Sequence, residues 1–313
     1  MHMKLHPATT DPTDEASTVA RLLADTDPRN GNDAAVLAVP GGRVCVSTDT
    51  TASGVHVAAG TDPVLLGRRA AARALSDLAA MGALPAGLVC AVLVGADASW
   101  GDAARAMAGV RARASEQGCP VLGGDLTRGV VGSSGLVLTV TVLGRPAGPH
   151  SFTPRAGVRP DDELWVTGAL GAAGVALTAG HGVPEPPDRL RAGSVLARHA
   201  HAMIDLSDGL ARDAGNLARA GACEIHLDLD VLPLAPGVVD ARCAAVDGDD
   251  YELLVALDPA AATAARAALA AACPDLNLTR VGSAWHGVGS ESGLVRAFHA
   301  GAEVSLAAGF QHS

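Results

Sequence analysis

The feature that most constrains the fold of this chain is an alternation of short apolar runs with longer helical patterns, interrupted once. β-Branched runs of about five to nine residues are typical of strands, and the alanine-rich stretches between them have a helical period. Residues 145–160 break the alternation, because they are rich in proline and glycine and have little periodicity. The sequence therefore predicts an α/β (α+β) fold in two domains, residues 1–148 and residues 149–313.

The same pattern locates the individual elements. Thr61, Asp62 and Pro63 form a typical helix start, with a capping residue and a proline in the first turn. The predicted helices are residues 14–24, 61–81, 102–117, 208–220 and 259–272. The predicted strands are residues 34–39, 43–47, 88–94, 135–143, 163–167, 202–205, 225–229 and 251–257. Residues 121–122 are expected to lead into Gly123-Gly124-Asp125, and residues 180–193 to form a proline-rich connection.

The charged residues exclude several classes of protein. The 313-residue chain has 33 acidic and 23 basic side chains, a formal charge of −10, which argues against a nucleic-acid-binding face. Its single lysine, Lys4, lies near the N-terminus. This position excludes a G-x-x-x-x-G-K-[ST] phosphate loop, the strand lysine of protein kinases and a Schiff-base lysine in the body of the chain.

The apolar residues predict a core of small side chains and no membrane segment. Hydrophobic residues make up 49% of the chain and aromatic residues only 2%, so alanine, valine and leucine must build the core. The longest apolar stretch, residues 86–96, is shorter than the roughly 20 residues that a membrane helix needs. The N-terminus lacks the apolar segment of a secretory signal, and the six dispersed cysteines are typical of buried thiols in a cytoplasmic protein.

Aspartates stand at the ends of many apolar runs, often beside glycine, serine or threonine. The aspartates placed in this way are Asp33, Asp49, Asp77, Asp125, Asp205, Asp208, Asp247, Asp249 and Asp250. Surface acids more often lie among other charges. If these carboxylates converge, they cannot all stay ionised without cations. Short, hard oxygen ligands from separate loops suit Mg²⁺, which also takes phosphate oxygens.

Each of these acids alone also has a simpler interpretation. Asp77 could pair with Arg73 four positions earlier on a helix. Asp33 or Asp205 could cap a turn or a helix. The acids at 247–250 could form a solvated loop. The joint pattern, rather than any one residue, favours a metal site.

Other residues could bind substrate or phosphate. Arg145 follows a glycine at the end of a strand and could supply the cation that phosphoryl transfer needs; otherwise it is a surface arginine. His56 could be a ligand or a plain loop histidine, and Phe310 could lie against a flat ring or simply pack. Residues 168–174 open a helix whose N–H groups could meet an anion, although their spacing is not a dinucleotide fingerprint.

Five motifs, in order along the chain, resemble those of the thiamine-monophosphate kinase family. They are Ser47-Thr48-Asp49 with Gly54-Val55-His56, Leu75-Ser76-Asp77-Leu78-Ala79-Ala80-Met81-Gly82, Gly123-Gly124-Asp125, Ile204-Asp205-Leu206-Ser207-Asp208-Gly209-Leu210 and Asp249-Asp250-Tyr251-Glu252-Leu253. The match runs from about residue 13 to the C-terminus. One such motif is weak, whereas five in order over the whole chain are specific.

The resemblance implies a two-domain fold shared with aminoimidazole-ribonucleotide synthetase, and a homodimer whose N-terminal domains pair through their sheets. It implies a transferase that uses ATP to phosphorylate thiamine monophosphate to thiamine diphosphate by direct transfer, with several Mg²⁺ ions. The implied magnesium ligands are Asp33, Ser47, Thr48, Asp49, Asp77, Asp125, Asp205 and Asp208. The implied ATP contacts are Gly124, Asp125, Arg145 and Ser207, and the implied substrate contacts are His56, Asp249 and Phe310. Catalysis is then expected to depend on Asp49, Asp125 and Arg145.

The chain departs from the family pattern at three places. Asn32 stands where the family has the first Asp of a Gly-Asp-Asp turn. Asp247-Gly248-Asp249 replaces a Gly-Gly-Glu, which shortens the expected substrate contact by one methylene. The stretch between residues 174 and 202 is also short. The second departure affects the placement of the substrate more than the binding of metal.

Several rival functions remain open at this point. An aminoimidazole-ribonucleotide synthetase-like enzyme is the nearest, because it shares the implied fold. A selenophosphate synthetase would carry a reactive cysteine near its N-terminus, but the first cysteine here is Cys45. A hydrogenase-maturation relative would end in a cysteine, whereas this chain ends in Ser313. A Mg²⁺-dependent phosphohydrolase and a non-catalytic nucleotide sensor are alternatives from other classes.

Overall fold

The computed structural model describes residues 31–129, 134–148, 152–287 and 293–306. The strands are β1 (Ala35–Val39), β2 (Gly42–Ala52), β3 (Ala83–Val94), β4 (Val121–Arg128), β5 (Leu136–Pro146), β6 (Glu163–Thr167), β7 (Ala200–Asp205), β8 (Cys223–Asp228), β9 (Leu253–Leu257), β10 (Leu278–His286), β11 (Val295–His299) and β12 (Ala302–Val304). The α-helices are α1 (Pro63–Ala80), α2 (Trp100–Glu116), α3 (Ala172–Thr178), α4 (Leu190–Leu196), α5 (Leu210–Ala220), α6 (Ala241–Val246) and α7 (Pro259–Ala272).

The first five strands form one sheet in the order β1-β2-β5-β3-β4. Its pairs are antiparallel except for β3 with β4, which is parallel. Residues on β2, β3 and β5 alternate between buried and more exposed positions, so one face of the sheet packs on α1 and the other is open. We call these the inner face and the outer face of the five-stranded sheet.

The remaining strands form a second sheet in the order β12-β11-β8-β10-β6-β9-β7. β11 runs parallel to β8, and the other printed pairs in this sheet are antiparallel. A core cluster of leucine, isoleucine, valine and alanine lies between this sheet and α5. A second cluster is continuous from the inner face of the five-stranded sheet through α1 to α4, α7 and β9. The two halves of the chain therefore share packed apolar side chains.

Helix α1 carries the polar residues of greatest interest and is held at both ends and along its length. The Asp62 side chain accepts a hydrogen bond from the Val64 N–H at 2.7 Å, and Gly82 ends the helix with a φ of 62°. A Cβ at Gly67 would lie 1.9 Å from the Ala106 carbonyl oxygen. On α2, a Cβ at Gly109 would lie 2.0 Å from a carbonyl oxygen of α1. The two helices therefore approach at backbone distance, which only glycine allows.

Most predicted elements are confirmed, with shifted boundaries. Helix α7 has the predicted bounds, and α1 begins and ends as expected. Gly123, Gly124 and Asp125, to which no element was assigned, lie in β4, which continues to Arg128 in a ladder with β3. The predicted connection at 180–193 is partly wrong, since α4 begins inside it. The predicted helix at 14–24 lies outside the described residues.

Some elements were not predicted at all. Helix α6 and strands β10, β11 and β12 lie in stretches that the periodicity left unassigned. β10 pairs with β6 and β8, and β11 pairs with β8, so these strands depend on partners more than 50 residues away. The expectation of buried thiols holds for Cys45, Cys90, Cys119 and Cys223, but Cys243 is exposed. In the described part of the chain, no helix combines the length and apolarity needed to cross a membrane.

Candidate active site

Three aspartates from separate elements meet in the interior. Asp33 precedes β1, Asp77 lies in the last turn of α1, and Asp205 ends β7. Each is buried, and one carboxylate oxygen from each lies within 4.8 Å of the others. We call these three residues the acidic cluster. Three aspartates that lie far apart in the sequence, each at the end of an apolar run, are therefore brought together by the fold.

Serine hydroxyls orient two of these carboxylates. Ser47 Oγ donates to Asp77 Oδ2 at 2.5 Å, and Ser76 Oγ donates to Asp205 Oδ2 at 2.8 Å. The alternation along β2 places Ser47 and Asp49 on the inner face, toward α1 and the acidic cluster. The suggested pair of Asp77 with Arg73 is therefore replaced by a bond to Ser47.

Arg155 is the cation that the sequence did not reveal. Its Nη2 lies 2.6 Å from Asp33 Oδ1 and its Nε 3.1 Å from Asp33 Oδ2, and its backbone N–H donates to Asn32 Oδ1 at 2.9 Å. Burial lowers the pKa of this guanidinium, but the charges of Asp33 and Asp205 outweigh that effect and raise it. Asn32 thus provides the acceptor that an aspartate would provide. Nothing in the sequence around Arg155 marks it, apart from its position in the proline-rich segment.

The donor set of the acidic cluster suits Mg²⁺. Three carboxylates and one guanidinium leave excess negative charge at a buried position, and like charges this close raise each other's energy unless a cation joins them. The ligands are oxygens from short side chains, which is the preference of Mg²⁺ and unlike the nitrogen and sulfur sets of zinc. Asp49, also buried on β2, faces the same side of the sheet.

Other predicted residues lie on the outer face. Thr48 is exposed, and its hydroxyl shares a hydrogen bond of 2.9 Å with Thr141. Asp125 is exposed on β4 and accepts a bond of 2.8 Å from the Thr127 hydroxyl. Because two strands separate β2 from β4, the backbones of Asp49 and Asp125 are about 14 Å apart, and their side chains point to opposite faces.

Arg145 also lies apart from the acidic cluster. It is exposed near the end of β5 and pairs in register with Leu84, whereas Asp125 pairs with Ala91 on the same strand β3. That separation corresponds to about 23 Å along the strand. Arg145 is therefore distant from Asp125, and Arg155 is the arginine that contacts the acidic cluster, through Asp33.

In residues 247–252, which we call the acidic loop, residues 250–252 are buried and residues 247–249 are partly buried. Asp249 and Tyr251 have φ angles of 71° and 52°, in a region that costs a non-glycine residue about 1–3 kcal/mol. The Glu252 carboxylate binds the Arg189 guanidinium through contacts of 2.6 and 2.7 Å. The Asp250 carboxylate accepts from the Gly171 N–H at 2.9 Å. The Gly171 N–H, expected to be available to an anion, is therefore used by the protein itself.

Asp250 has the most perturbed carboxyl of this loop. Burial, together with the neighbouring charges of Glu252 and Asp247, raises its pKa to about 7, although the backbone N–H groups of Gly171 and Ala172 oppose the shift. A carboxyl that titrates near neutrality beside a strained loop is typical of functional sites.

Two arginines of α1 reach the acidic loop. Arg69 Nη2 lies 2.7 Å from Asp249 Oδ1, and Arg73 Nε donates to the Tyr251 hydroxyl at 2.6 Å. Arg73 also donates to the Thr50 carbonyl and the Thr51 hydroxyl, each at 3.2 Å. The sequence indicated Arg73 only as a helix partner of Asp77.

The remaining predicted site residues have mixed placements. His56 Nδ1 accepts a hydrogen bond of 3.1 Å from the Ala52 N–H in the turn after β2. The Ser207 carbonyl accepts from the Asp249 N–H at 2.9 Å, and the Asp208 N–H donates to Asp213 Oδ2 at 2.9 Å. Ser207 therefore connects the motif after β7 with the acidic loop. Phe310 lies outside the described residues.

Comparison with known proteins gives consistent sequence matches. A profile of the family described as "AIR synthase related protein, N-terminal domain" matches residues 31–145. A thiamine-monophosphate kinase of Caulobacter vibrioides is 33% identical over 334 residues, with 96% of this chain and 90% of the relative covered. That of Salmonella typhimurium is 36% identical over 255 residues, with 73% of this chain and 76% of the relative covered.

A solved structure gives the same fold. The structure described as "AaThiL complexed with AMPPCP and TMP" is similar with a TM-score of 0.76 and 23% sequence identity, and the match covers 92% of each chain. At this identity the likeness shows the fold alone, and it extends over nearly the whole length of both proteins.

Proposed function

The chain belongs to the thiamine-monophosphate kinase family, and from that premise we propose that it uses ATP to phosphorylate thiamine monophosphate to thiamine diphosphate. In this reaction an oxygen of the substrate phosphate attacks the γ-phosphorus of ATP, and the bond to the bridging oxygen breaks as ADP leaves. Both reactants are polyanions, and the chain itself has a formal charge of −10. Cations must therefore bring the two phosphates together.

The observation that carries the proposal is the convergence of Asp33, Asp77 and Asp205, whose ligand oxygens lie within 4.8 Å of one another. A chain whose single lysine is Lys4 needs another source of positive charge, and carboxylates that gather metal ions supply it. Magnesium held there would neutralise charge on the transferring phosphoryl group. Asp33, Asp77 and Asp205 would hold it, together with Ser47 and Asp49 on the inner face.

The protein's own side chains position these ligands. Ser47 donates a hydrogen bond to Asp77 Oδ2, and Ser76 donates one to Asp205 Oδ2, which fixes the orientation of both carboxylates. Arg155 holds the Asp33 carboxylate in place through an ion pair of 2.6 Å. Rigid elements that fix the first ligands in this way favour a preorganised site over one assembled by the substrate.

The outer face supports the proposal of a homodimer. Thr48, Asp125 and Arg145, three residues expected to meet ATP or its metal, lie on this face and away from the acidic cluster of their own chain. The same face bears partly exposed threonines and aliphatic residues on β2, β3 and β5. If two copies pair through it, each site can combine an acidic cluster from one chain with Asp125 of the other, which satisfies both sets of expectations.

Complementation tests this arrangement. Asp49→Asn and Asp125→Asn should each be inactive alone, because each site then lacks a metal ligand. Mixed after denaturation and refolding, they should recover about a quarter of wild-type activity, since half of the dimers are mixed and each of these has one intact site. Mixing that restores nothing would assign both residues to the same chain's site.

The remaining parts of the proposal concern organisation. We place the domain boundary at 148/149, between the five-stranded sheet and the second sheet, and assign ATP and metal binding mainly to residues 1–148. A kinase that consumes ATP for cofactor synthesis would act in the cytoplasm. Gly124, Ser207 and Asp208 remain proposed contacts of ATP and metal, and His56, Asp249 and Phe310 proposed contacts of the substrate.

The direct test is product formation from ATP and thiamine monophosphate in the presence of Mg²⁺. The kinase yields one thiamine diphosphate for each ADP, and ADP formation depends on the thiamine substrate. Equal phosphate release without that substrate would instead indicate a phosphohydrolase. Binding of ATP without turnover would indicate a sensor, and turnover only with a different phosphorylated acceptor would favour an aminoimidazole-ribonucleotide synthetase-like enzyme.

A further inference from the structure

Two residues of the acidic loop have the left-handed backbone, and both are held by arginines of α1. Asp249, with a φ of 71°, contacts Arg69, and Tyr251, with a φ of 52°, contacts Arg73. The residue between them, Asp250, binds instead to Gly171. Residues without a glycine's freedom keep such angles only where their surroundings determine them. The arginines are four positions apart and so lie on one face of the helix.

The contacts of Arg73 connect two parts of the site. Its Nε donates to the Tyr251 hydroxyl at 2.6 Å, and its Nη1 donates to the Thr50 carbonyl at 3.2 Å. Its Nη2 lies 3.9 Å from Asp49 Oδ1. One planar guanidinium thus joins the acidic loop to the strand that carries Ser47 and Asp49. Only 7% of Arg73 and 1% of Tyr251 are exposed, so water does not compete for these bonds.

Arg69 adds a second connection from the same helix. It is 3% exposed and contacts Asp249 on one side and the Pro184 carbonyl oxygen on the other. Pro184 belongs to the short connection between α3 and α4. The expected substrate contact, Asp249, is therefore tied to α1 through an ion pair, although its side chain is one methylene shorter than the glutamate of the family pattern.

We propose that Arg69 and Arg73 are positioning residues. They hold the strained segment from Asp249 to Tyr251 in a fixed position relative to Asp49, and so set where the acceptor phosphate lies relative to the metal ligands. The inference rests on the proposed function, because it concerns the acceptor side of that same site. Neither arginine needs to touch a substrate. When the contacts of Arg69 and Arg73 with the acidic loop, which we call the clamp, are weakened, the loop also occupies other conformations. The acceptor then binds only the fraction of molecules whose loop has the competent conformation.

Kinetics distinguish positioning from a general effect on folding. If Arg73→Lys reduces the competent conformer to about a tenth, the KM for thiamine monophosphate rises about tenfold while kcat changes little. The KM for ATP should stay within about twofold, since lysine keeps the positive charge near Asp49 but not the planar fork. Arg105→Lys, at a surface ion pair with Asp62, is the matched control and should change neither constant. A fall in kcat with unchanged KM would overturn the proposal.

A double-mutant cycle tests whether Arg73 acts through Tyr251. Tyr251→Phe removes only the hydroxyl that Arg73 Nε contacts, so it should also raise the KM for thiamine monophosphate. The KM of the double variant should not exceed that of the more strongly affected single variant, because both changes break the same contact. Effects that multiply would show independent roles and would overturn the inference.

A spectroscopic test works without any turnover. Tyr251 is the only tyrosine of the chain, so tyrosine labelled with ¹³C at the ring Cζ alone gives a single signal by NMR. Arg73→Lys and Arg69→Lys should each shift or split that signal, and Arg105→Lys should leave it unchanged. An unaltered signal in both α1 variants would exclude the clamp. A wild-type protein that fails to phosphorylate thiamine monophosphate would refute the proposed function but leave this test intact.

Discussion

The acidic cluster and the acidic loop balance their negative charge in opposite ways. Asp33, Asp77 and Asp205 converge on a common point, with Arg155 bound to the first of them. In the loop, Asp249, Asp250 and Glu252 are each directed to a different protein group: Arg69, the Gly171 N–H and Arg189. Carboxylates that converge on one point need an added cation to neutralise them. Carboxylates that each bind a separate group of the protein instead hold the chain in place. The comparison separates acids expected to bind metal from acids that shape the site.

The largest effect should come from the acidic cluster. Asp77→Asn should lower turnover at least about 100-fold, the order expected when a group that organises transition-state charge is removed. The melting temperature without Mg²⁺ should not fall, because a like-charge repulsion is relieved. The rise in melting temperature on adding Mg²⁺ should disappear. Calorimetry with and without Mg²⁺ measures both, and Asp275→Asn, at an exposed acid, is the control.

The opposite result is expected in the acidic loop. Glu252→Gln leaves the buried side of Arg189 without its charged partner, so the free energy of unfolding should fall by about 2 kcal/mol. Stabilisation by Mg²⁺ should persist. Urea denaturation measures the change, and Glu303→Gln, in an exposed pair with Arg296, should stay within about 0.5 kcal/mol of wild type. If Glu252→Gln abolished the response to Mg²⁺ instead, the two regions would not differ in the proposed way.

The smallest effect concerns pH. The folded pKa of Asp250, about 7, lies above its ordinary value of 3.8, so the native state binds more protons than the unfolded state between these values. Stability should therefore fall as pH rises through this window. In Asp250→Asn the free energy of unfolding should decrease less steeply with pH, by about 1 kcal/mol per pH unit. A difference of one whole bound proton between the native and unfolded states would contribute about 1.4 kcal/mol per pH unit. Denaturation at pH 5, 6 and 7 measures the slope. An identical slope in the variant would show that the carboxyl is already ionised throughout.

Local sequence signals predicted the parts of the site that lie at element ends. Asp33, Asp77 and Asp205 could be singled out because each stands at the end of an apolar run beside a polar or small residue. Arg155 could not, because its partner Asp33 is 122 residues away and nothing local distinguishes it from other arginines. The sequence around Arg73 suggested the wrong partner, because the residue that Arg73 contacts is also far away along the chain. Its spacing from Asp77 suggests a helix pair, but its hydrogen-bond partner Tyr251 is 178 residues distant.

Tertiary pairing also explains the errors in the fold. Two adjacent glycines normally favour a turn, yet Gly123 and Gly124 lie in β4 because β3 provides a parallel ladder for them. The strands from Leu278 onward were missed because their short, mixed runs are stabilised by β6 and β8 rather than by their own pattern. The order of the motifs along the chain predicted the family. It could not show that the five-stranded sheet divides the expected ligands between its two faces.

The glycine contact between α1 and α2 has a consequence for engineering this protein. Replacing a mid-helix glycine by alanine usually stabilises an exposed helix by about 1 kcal/mol and is a common choice for raising thermal tolerance. At Gly67 or Gly109 the added methyl group would meet a carbonyl oxygen at 2 Å or less and force the helices apart. Asp77 lies ten residues, about 15 Å, further along α1 than Gly67. A change in the packing of α1 against α2 would therefore displace the Asp77 carboxylate relative to the rest of the acidic cluster. Thermostabilised variants of this chain should therefore be built elsewhere, on helices that carry none of the site.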